Sequence, residues 1–274
     1  MNRDAGYFVE NTIILPFNDL KASEQLLRKR ASELSAVILE PVQGGFIPAD
    51  EEFIQGLRKV TEELGILLIF DEVKTGFRTS LGGCQTVYGV KPDLTALGKV
   101  LGGGFPVGAV GGREDIMMIS APHGGRDILS AGSKEKGKDV LFHSGTYNGH
   151  PTVLAAGLAT IEALESDQTF EKLVERTQYL RHQLETVYKR HGVEMQTIGM
   201  GSIFNIVLIN EPVKNYRDLQ KGNTSFRKII DQELLKKGVY TKPMNRYSMS
   251  TVHTEEDIAR TAELHEEVLK KLRR

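Results

Sequence analysis

From Ala36 to Glu72 the chain reads AVILEPVQGGFIPADEEFIQGLRKVTEELGILLIFDE, and the spacing of its apolar residues decides the fold class. Ala36 to Leu39 is a short apolar run ended by Glu40 and Pro41, which predicts a buried strand. From Asp50 the apolar positions Phe53, Leu57, Val60 and Leu64 step by four, three and four, a helical stripe, and Gly65 supplies the left-handed residue that closes a helix. Ile66 to Phe70 is again continuously apolar. Strand, helix and strand within about 35 residues, both strands apolar on both faces, is the pattern of a right-handed parallel crossover. The fold class is α/β with a mainly parallel sheet.

Upstream, Asn18 or Asp19 can cap a helix whose apolar positions are Leu20, Leu26 and Leu27. Downstream, Leu94 to Leu97 and Val107 to Val110 are further strands, set around the densest glycine cluster of the chain, Gly98, Gly102, Gly103, Gly104 and Gly108. Ser120 to Asp139 is polar, with Gly124, Gly125, Lys134, Glu135, Lys136 and Lys138, and reads as a mobile surface loop. After Pro151 the texture changes to helices: a stripe Leu154, Leu158, Ile161, Leu164, and a longer one from Phe170 to Val187 that stops at Gly192. Ile203 to Ile209 reads as a strand, Phe226 to Leu234 as a helix closed by Gly238, and Thr254 opens a last helix with Glu255, Glu256 and Asp257 in its first turn. The expected division is a first domain over 1–152 and, beyond a linking helix, a smaller α/β domain over 153–274.

Composition excludes several classes of function. Thirty-five Lys and Arg against 36 Asp and Glu leave a net charge of -1 without a basic block, so no nucleic-acid partner is expected. The longest apolar runs, such as Ile66 to Phe70, fall far short of the ~20 residues that span a bilayer, so no membrane segment is expected. One cysteine, Cys84, excludes an internal disulfide framework and fits a reducing compartment, read here as the cytoplasm. No nucleophile motif surrounds it, and a buried or idle thiol is expected.

Ligands of open parallel sheets sit at the carboxyl ends of strands, which makes Asp71 and Glu72, just past Phe70, candidates for chemistry. An acid pair can equally do no more than solvate a strand end. It could also be the magnesium-binding acid of an ATPase, but the phosphate loop G-x-x-x-x-G-K-[ST] is not met: around Gly98-Lys99, Asp93 holds the first glycine position and Val100 the hydroxyl position. Lys99 follows a strand and enters a glycine-rich turn that a ligand could approach closely. A lysine desolvated there becomes a nucleophilic amine, as a Schiff base requires; the glycines could also be mere turns. The seven histidines show no paired ligand spacing, so no metal site is expected.

Taken together, Glu40-Pro41-Val42-Gln43-Gly44, Phe70-Asp71-Glu72-Val73 with Thr75-Gly76-Phe77-Arg78, Pro92-Asp93 leading to Leu97-Gly98-Lys99 and Gly102-Gly103-Gly104, and Gly145-Thr146-Tyr147-Asn148-Gly149 resemble the class III, fold-type I aminotransferases that use pyridoxal 5'-phosphate. Gly199-Met200-Gly201-Ser202 and Ser250-Thr251-Val252-His253-Thr254 look most like the glutamate-1-semialdehyde aminomutase branch. The resemblance implies a fold-type I transferase that moves an amino group to or from a small amino acid or amine. Lys99 would hold the cofactor as a Schiff base and shuttle the proton. Asp71 would face the ring nitrogen, Val73 would pack on the ring, Gln43 would bond near the ring hydroxyl, and Glu40 would orient them. Thr146 would reach the cofactor phosphate of a neighbouring subunit, which implies a homodimer.

Two departures from the family pattern are expected to matter. Many members carry a glutamate after the Gln-Gly pair, matched to an arginine that sorts substrates, where this chain has Gly45. The resemblance also begins well inside the family pattern, without its main phosphate loop and ring-stacking aromatic. A catalytically incomplete protein with a binding or assembly role is the alternative this raises.

Overall fold

The computed structural model describes residues 10–120, 145–241, 244 and 246–272. Helix α1 (Leu20–Arg30) starts at Asp19, whose carboxylate accepts from the Ala22 N–H at 3.0 Å. Asn18 serves another end: its side chain accepts from the Asp50 N–H and donates to the carbonyls of Pro48 and Lys214. Strand β1 (Ala36–Leu39) is followed by two short strands, β2 (Val42–Gln43) and β3 (Ile47–Pro48), paired antiparallel. Helix α2 (Glu51–Leu64) ends on Gly65 at φ 67° as its sequence predicts, and β4 (Leu67–Asp71) returns alongside β1. Then come α3 (Gly83–Tyr88), β5 (Leu94–Gly98), a 3-10 turn (Lys99–Gly102), β6 (Gly108–Gly112) and α4 (Glu114–Met117).

The sheet runs β1-β4-β5-β6, the first three strands parallel and β6 antiparallel to β5. Leu39 pairs with Phe70 and Asp71 with Ala96, so the chain leaves β1, β4 and β5 at one edge, close together. One face is well covered: Leu68 and Phe70 are buried with Leu27, Phe53, Ile54, Leu57 and Val60. On the other, Ile38 is 65% exposed, so the cover on both faces implied by the apolar pattern is incomplete among the described residues.

The second half begins with α5 (Pro151–Glu165) and α6 (Thr169–Arg190), joined by a kink in which Asp167 and Gln168 take left-handed backbone angles. Strands β7 (Gln196–Met200), β8 (Ile203–Val207) and β9 (Tyr247–Ser248) form an antiparallel sheet. Between β8 and β9 lie α7 (Tyr216–Leu219) and α8 (Thr224–Lys236). The last helix, α9 (Glu255–Leu272), opens on a reciprocal cap: Asp257 N–H donates to the Thr254 hydroxyl, and Thr254 N–H to the Asp257 carboxylate. A second core gathers Leu180, Leu184, Phe204, Ile206, Ile230, Leu234 and Val268.

Polar contacts join the halves. The Arg78 carbonyl accepts from the Ser202 N–H at 2.8 Å, and Lys214 pairs with Asp50 at 2.9 Å. Apart from Ser120, the loop expected up to Asp139 lies outside the described residues. No helix among them is long and apolar enough to cross a membrane.

Candidate active site

Side chains alternate along a strand, and this separates the two acids at the end of β4. Glu72 turns inward and is 1% exposed. Its carboxylate accepts from the Cys84 N–H at 2.7 Å, the Gln85 N–H at 3.3 Å and the Thr75 hydroxyl at 3.1 Å. It holds the first turn of α3. Burial, reinforced by Glu72, pushes the Cys84 thiol up to about 12, which keeps it from acting as a thiolate at neutral pH. Asp71 stays half-buried at the sheet edge, one oxygen accepting from the Val73 N–H at 3.1 Å.

Lys99 stands where β5 gives way to the 3-10 turn, with φ 51° in the left-handed region that few non-glycine residues occupy. The turn is seated on α5 by two glycines. The Leu101 carbonyl occupies the space a Cβ of Gly157 would need, and the Ala156 carbonyl does the same for Gly103 at φ 57°. Val73 packs against the residue before the lysine: a Cβ on Gly98 would come within 3.3 Å of its side chain. Among the described residues, the charged groups that act most on the Lys99 amine are Lys74 and Asp71 beyond and at the end of β4, Arg246 before β9, and Glu40 after β1. Burial first and Lys74 next push its pKa below the ordinary lysine value; Arg246 adds to this, and Asp71 and Glu40 oppose it.

Glu40 is itself fixed from two sides. One oxygen binds the Lys74 ammonium at 2.6 Å and the other accepts from the Gly44 N–H at 2.6 Å. Gly45, in the turn between β2 and β3, faces cations: a Cβ there would lie 3.4 Å from Cδ of both Arg246 and Lys74. A cavity of about 450 Å³ adjoins these groups, lined by Gln43 and Lys74 from the first half and by Arg246, Asn205, Leu208 and Arg227 from the second.

Of the residues picked from sequence, the structure therefore gathers Lys99, Asp71, Val73 and Glu40. Gln43 is adjacent, but its side-chain carbonyl accepts from the Tyr216 N–H at 3.1 Å, a link to the second half. Thr146 lies in an exposed turn leading into α5. Sequence reading missed Lys74 and Arg246. Lys74 sits inside a quoted motif, between Val73 and Thr75, and its type alone gave the signal; Arg246 has no local pattern to mark it.

The Aminotransferase class-III family pattern matches residues 6–274. The chain belongs to the class-III aminotransferases. It is 38% identical over 267 residues to a glutamate-1-semialdehyde 2,1-aminomutase of Natranaerobius thermophilus, covering 96% of this chain and 58% of that protein. The aminomutase of the same name from Ignicoccus hospitalis is 40% identical over 265 residues, covering 94% and 58%. The chain thus spans just under three-fifths of the length of these relatives. Among solved structures, an omega-transaminase from Sphaerobacter thermophilus superposes with a TM-score of 0.88 at 33% identity, over 100% of this chain and 60% of that one. A transaminase with PLP bound superposes with a TM-score of 0.84 at 29% identity, over 99% and 60%. The fold is that of the fold-type I enzymes, and the expected α/β class stands.

Proposed function

We propose that this chain carries the lysine and the ring-binding face of a pyridoxal-phosphate-dependent aminotransferase or aminomutase acting on a small amino acid or amine. The observation that carries the reading is the meeting of Lys99, Asp71, Val73 and Glu40 at the carboxyl edge of the parallel strands. The groups present suit the cofactor's reacting end: an amine, a carboxylate for a protonated ring nitrogen and an apolar side chain for a ring face. When bound, the cofactor withdraws electrons from the substrate carbon so that its proton can leave.

Within that reading, Nζ of Lys99 would hold the cofactor and would move the substrate proton. Asp71 balances the positive ring nitrogen, and the Val73 N–H bond holds its carboxylate in place. Glu40 orients the site through Lys74 and Gly44. Gln43 keeps an amide N–H₂ for the cofactor while its carbonyl holds Tyr216. Thr146, exposed, serves the phosphate in a neighbouring subunit, so the working form is a homodimer. The two separate cores support dividing the chain into a cofactor domain over 1–152 and a helix-linked small domain over 153–274. The aminomutase relatives favour that branch. The family assignment leaves an ATPase built on Asp71 and Glu72 without support.

The test is to add pyridoxal phosphate to the full chain, reduce with borohydride and map the modified lysine by mass spectrometry. The label is expected at Lys99. Equal labelling of lysines along the chain would refute the assignment.

A further inference from the structure

The stretch between β8 and α8 leaves the second half and lies against the first, where three contacts hold it. The Asn18 side chain donates to the Lys214 carbonyl at 2.8 Å, the Lys214 ammonium binds Asp50 at 2.9 Å, and the Tyr216 N–H donates to the Gln43 side-chain carbonyl at 3.1 Å. Asn18 also donates to the Pro48 carbonyl at 3.1 Å and accepts from the Asp50 N–H at 2.8 Å. Pro48 is on β3, the partner of the strand that carries Gln43, and Gln43 itself pairs with Ile47. One side chain thus ties down both the hairpin that carries Gln43 and the stretch that meets it. Tyr216 is the first residue of α7, and the Asn215 cap of that helix accepts from the Arg217 and Asp218 N–H groups. The Tyr216 N–H is one of the donors that a helix start leaves over, and Gln43 takes it.

An amide side chain has one accepting end and one donating end, and a backbone N–H can meet only the first. We propose that Tyr216 is a positioning residue for Gln43: its N–H holds the Gln43 carbonyl toward the second half and leaves the N–H₂ as the end that meets a ligand, so the ligand atom opposite Gln43 is a hydrogen-bond acceptor. Gln43 and Tyr216 both line the cavity of about 450 Å³ that Lys74 and Arg246 also line. The inference rests on the reading of the site as one for pyridoxal phosphate, with Gln43 near the ring hydroxyl. Once ionised, that hydroxyl is an acceptor, which an N–H₂ suits and a carbonyl does not. The contact joins residues 173 positions apart in sequence, so Gln43 is oriented only while the two halves are seated on each other.

Tyr216→Pro removes this one donor at a position that accepts proline, because the first residue of a helix needs no N–H and Asn215 before it is extended, at φ -155° and ψ 175°. Tyr216→Ala trims the same side chain and keeps the N–H. Heteronuclear NMR of the full chain without cofactor reads the Gln43 side-chain N–H₂ signals, identified by their loss in Gln43→Glu. Tyr216→Pro is expected to displace these signals and raise their mobility, and Tyr216→Ala to leave them in place. Asn18→Gly, which removes the donor to Lys214 at a left-handed residue that glycine tolerates, is the second variant should Tyr216→Pro fail to fold by circular dichroism. Unmoved signals in the folded variant overturn the proposal, as do Tyr216→Ala signals that match those of Tyr216→Pro. With pyridoxal phosphate added, Gln43→Glu keeps the acceptor for Tyr216 but loses the donor, and is expected to weaken binding about tenfold. Tyr216→Pro is expected to show part of that loss, and the double variant no more than Gln43→Glu alone. Additive losses would overturn the link between the two residues. No binding in wild type would remove the proposed function and with it the use of Gln43 at a ring oxygen. Binding with unmoved signals would remove the positioning role alone.

Discussion

His265 offers a measurement in which folding energy and protonation are tied together. It is fully buried on α9, with the Tyr188 hydroxyl 3.0 Å from Nδ1 and the Tyr247 hydroxyl 3.0 Å from Nε2. A neutral imidazole satisfies both, donating through one nitrogen and accepting through the other. Burial, with the Arg227 guanidinium second, pushes its pKa down to about 3. An unfolded histidine titrates near ~6.5, so between that value and about 3 the unfolded chain binds a proton that the folded chain refuses. Stability contributed by the neutral imidazole is therefore full above the unfolded value and declines as pH falls through that window. Between pH 7 and pH 5 the loss from this one group is about 2 kcal/mol. His265→Gln keeps a donor and an acceptor but does not titrate. Urea unfolding followed by far-UV circular dichroism at both pH values is expected to show wild type losing about 2 kcal/mol more than the variant. Carboxylates that titrate in the same range affect both proteins alike and cancel. Equal losses in the two proteins would refute the claim that His265 is held neutral.

Asp71→Asn is expected to leave cofactor binding measurable by absorbance but to cut turnover by about a hundredfold or more, the scale of losing one preorganised electrostatic partner; unchanged turnover would make Asp71 a structural residue. Asp93→Ala is expected to destabilise by about 3 kcal/mol in urea unfolding, because it strands the buried Leu68 N–H and the mostly buried Arg58 guanidinium beside β4. The Asp93 carboxylate accepts from the Leu68 N–H at 2.7 Å and from Arg58 and Arg113 at 2.9 Å each. Burial raises its pKa, but Leu68, Arg113 and Arg58 outweigh that and hold it low, so its contribution is present above the unfolded carboxyl value and is lost as pH falls through the folded one.

The crossover from Ala36 to Phe70 was legible because a helical stripe lies between two apolar runs, and each element ends on a residue with its own physics, Pro41 and Gly65. β2 and β3 were not, since strands of two residues contain no period to detect. They matter for the site, because their turn brings Gly44 to Glu40 and Gly45 to Arg246. Lys99 could be chosen from its place after a strand and before glycines. Its charged surroundings could not, because Glu40, Lys74 and Arg246 meet it only through the register of parallel strands and the return of the chain in the second half. Likewise the pairing of Gln43 with Tyr216 joins residues with nothing in the intervening sequence to link them.

The fate of the acid pair shows how the sheet selects its chemistry. Asp71 and Glu72 are neighbours of like charge, and nothing in their type says which faces a ligand. The two-residue period of the strand sends one to each side, and α3 then decides the matter, for its first N–H groups meet Glu72 and leave Asp71 at the edge. What remains around Lys99 is a group of two carboxylates, Asp71 and Glu40, and two cations, Lys74 and Arg246. Protonating Lys99 adds a positive charge beside two cations that two carboxylates balance, and its pKa lies below the ordinary lysine value. The surroundings of Lys99 thus combine cations that disfavour its protonated form with a carboxylate at the end of β4, and the function proposed above would draw on both.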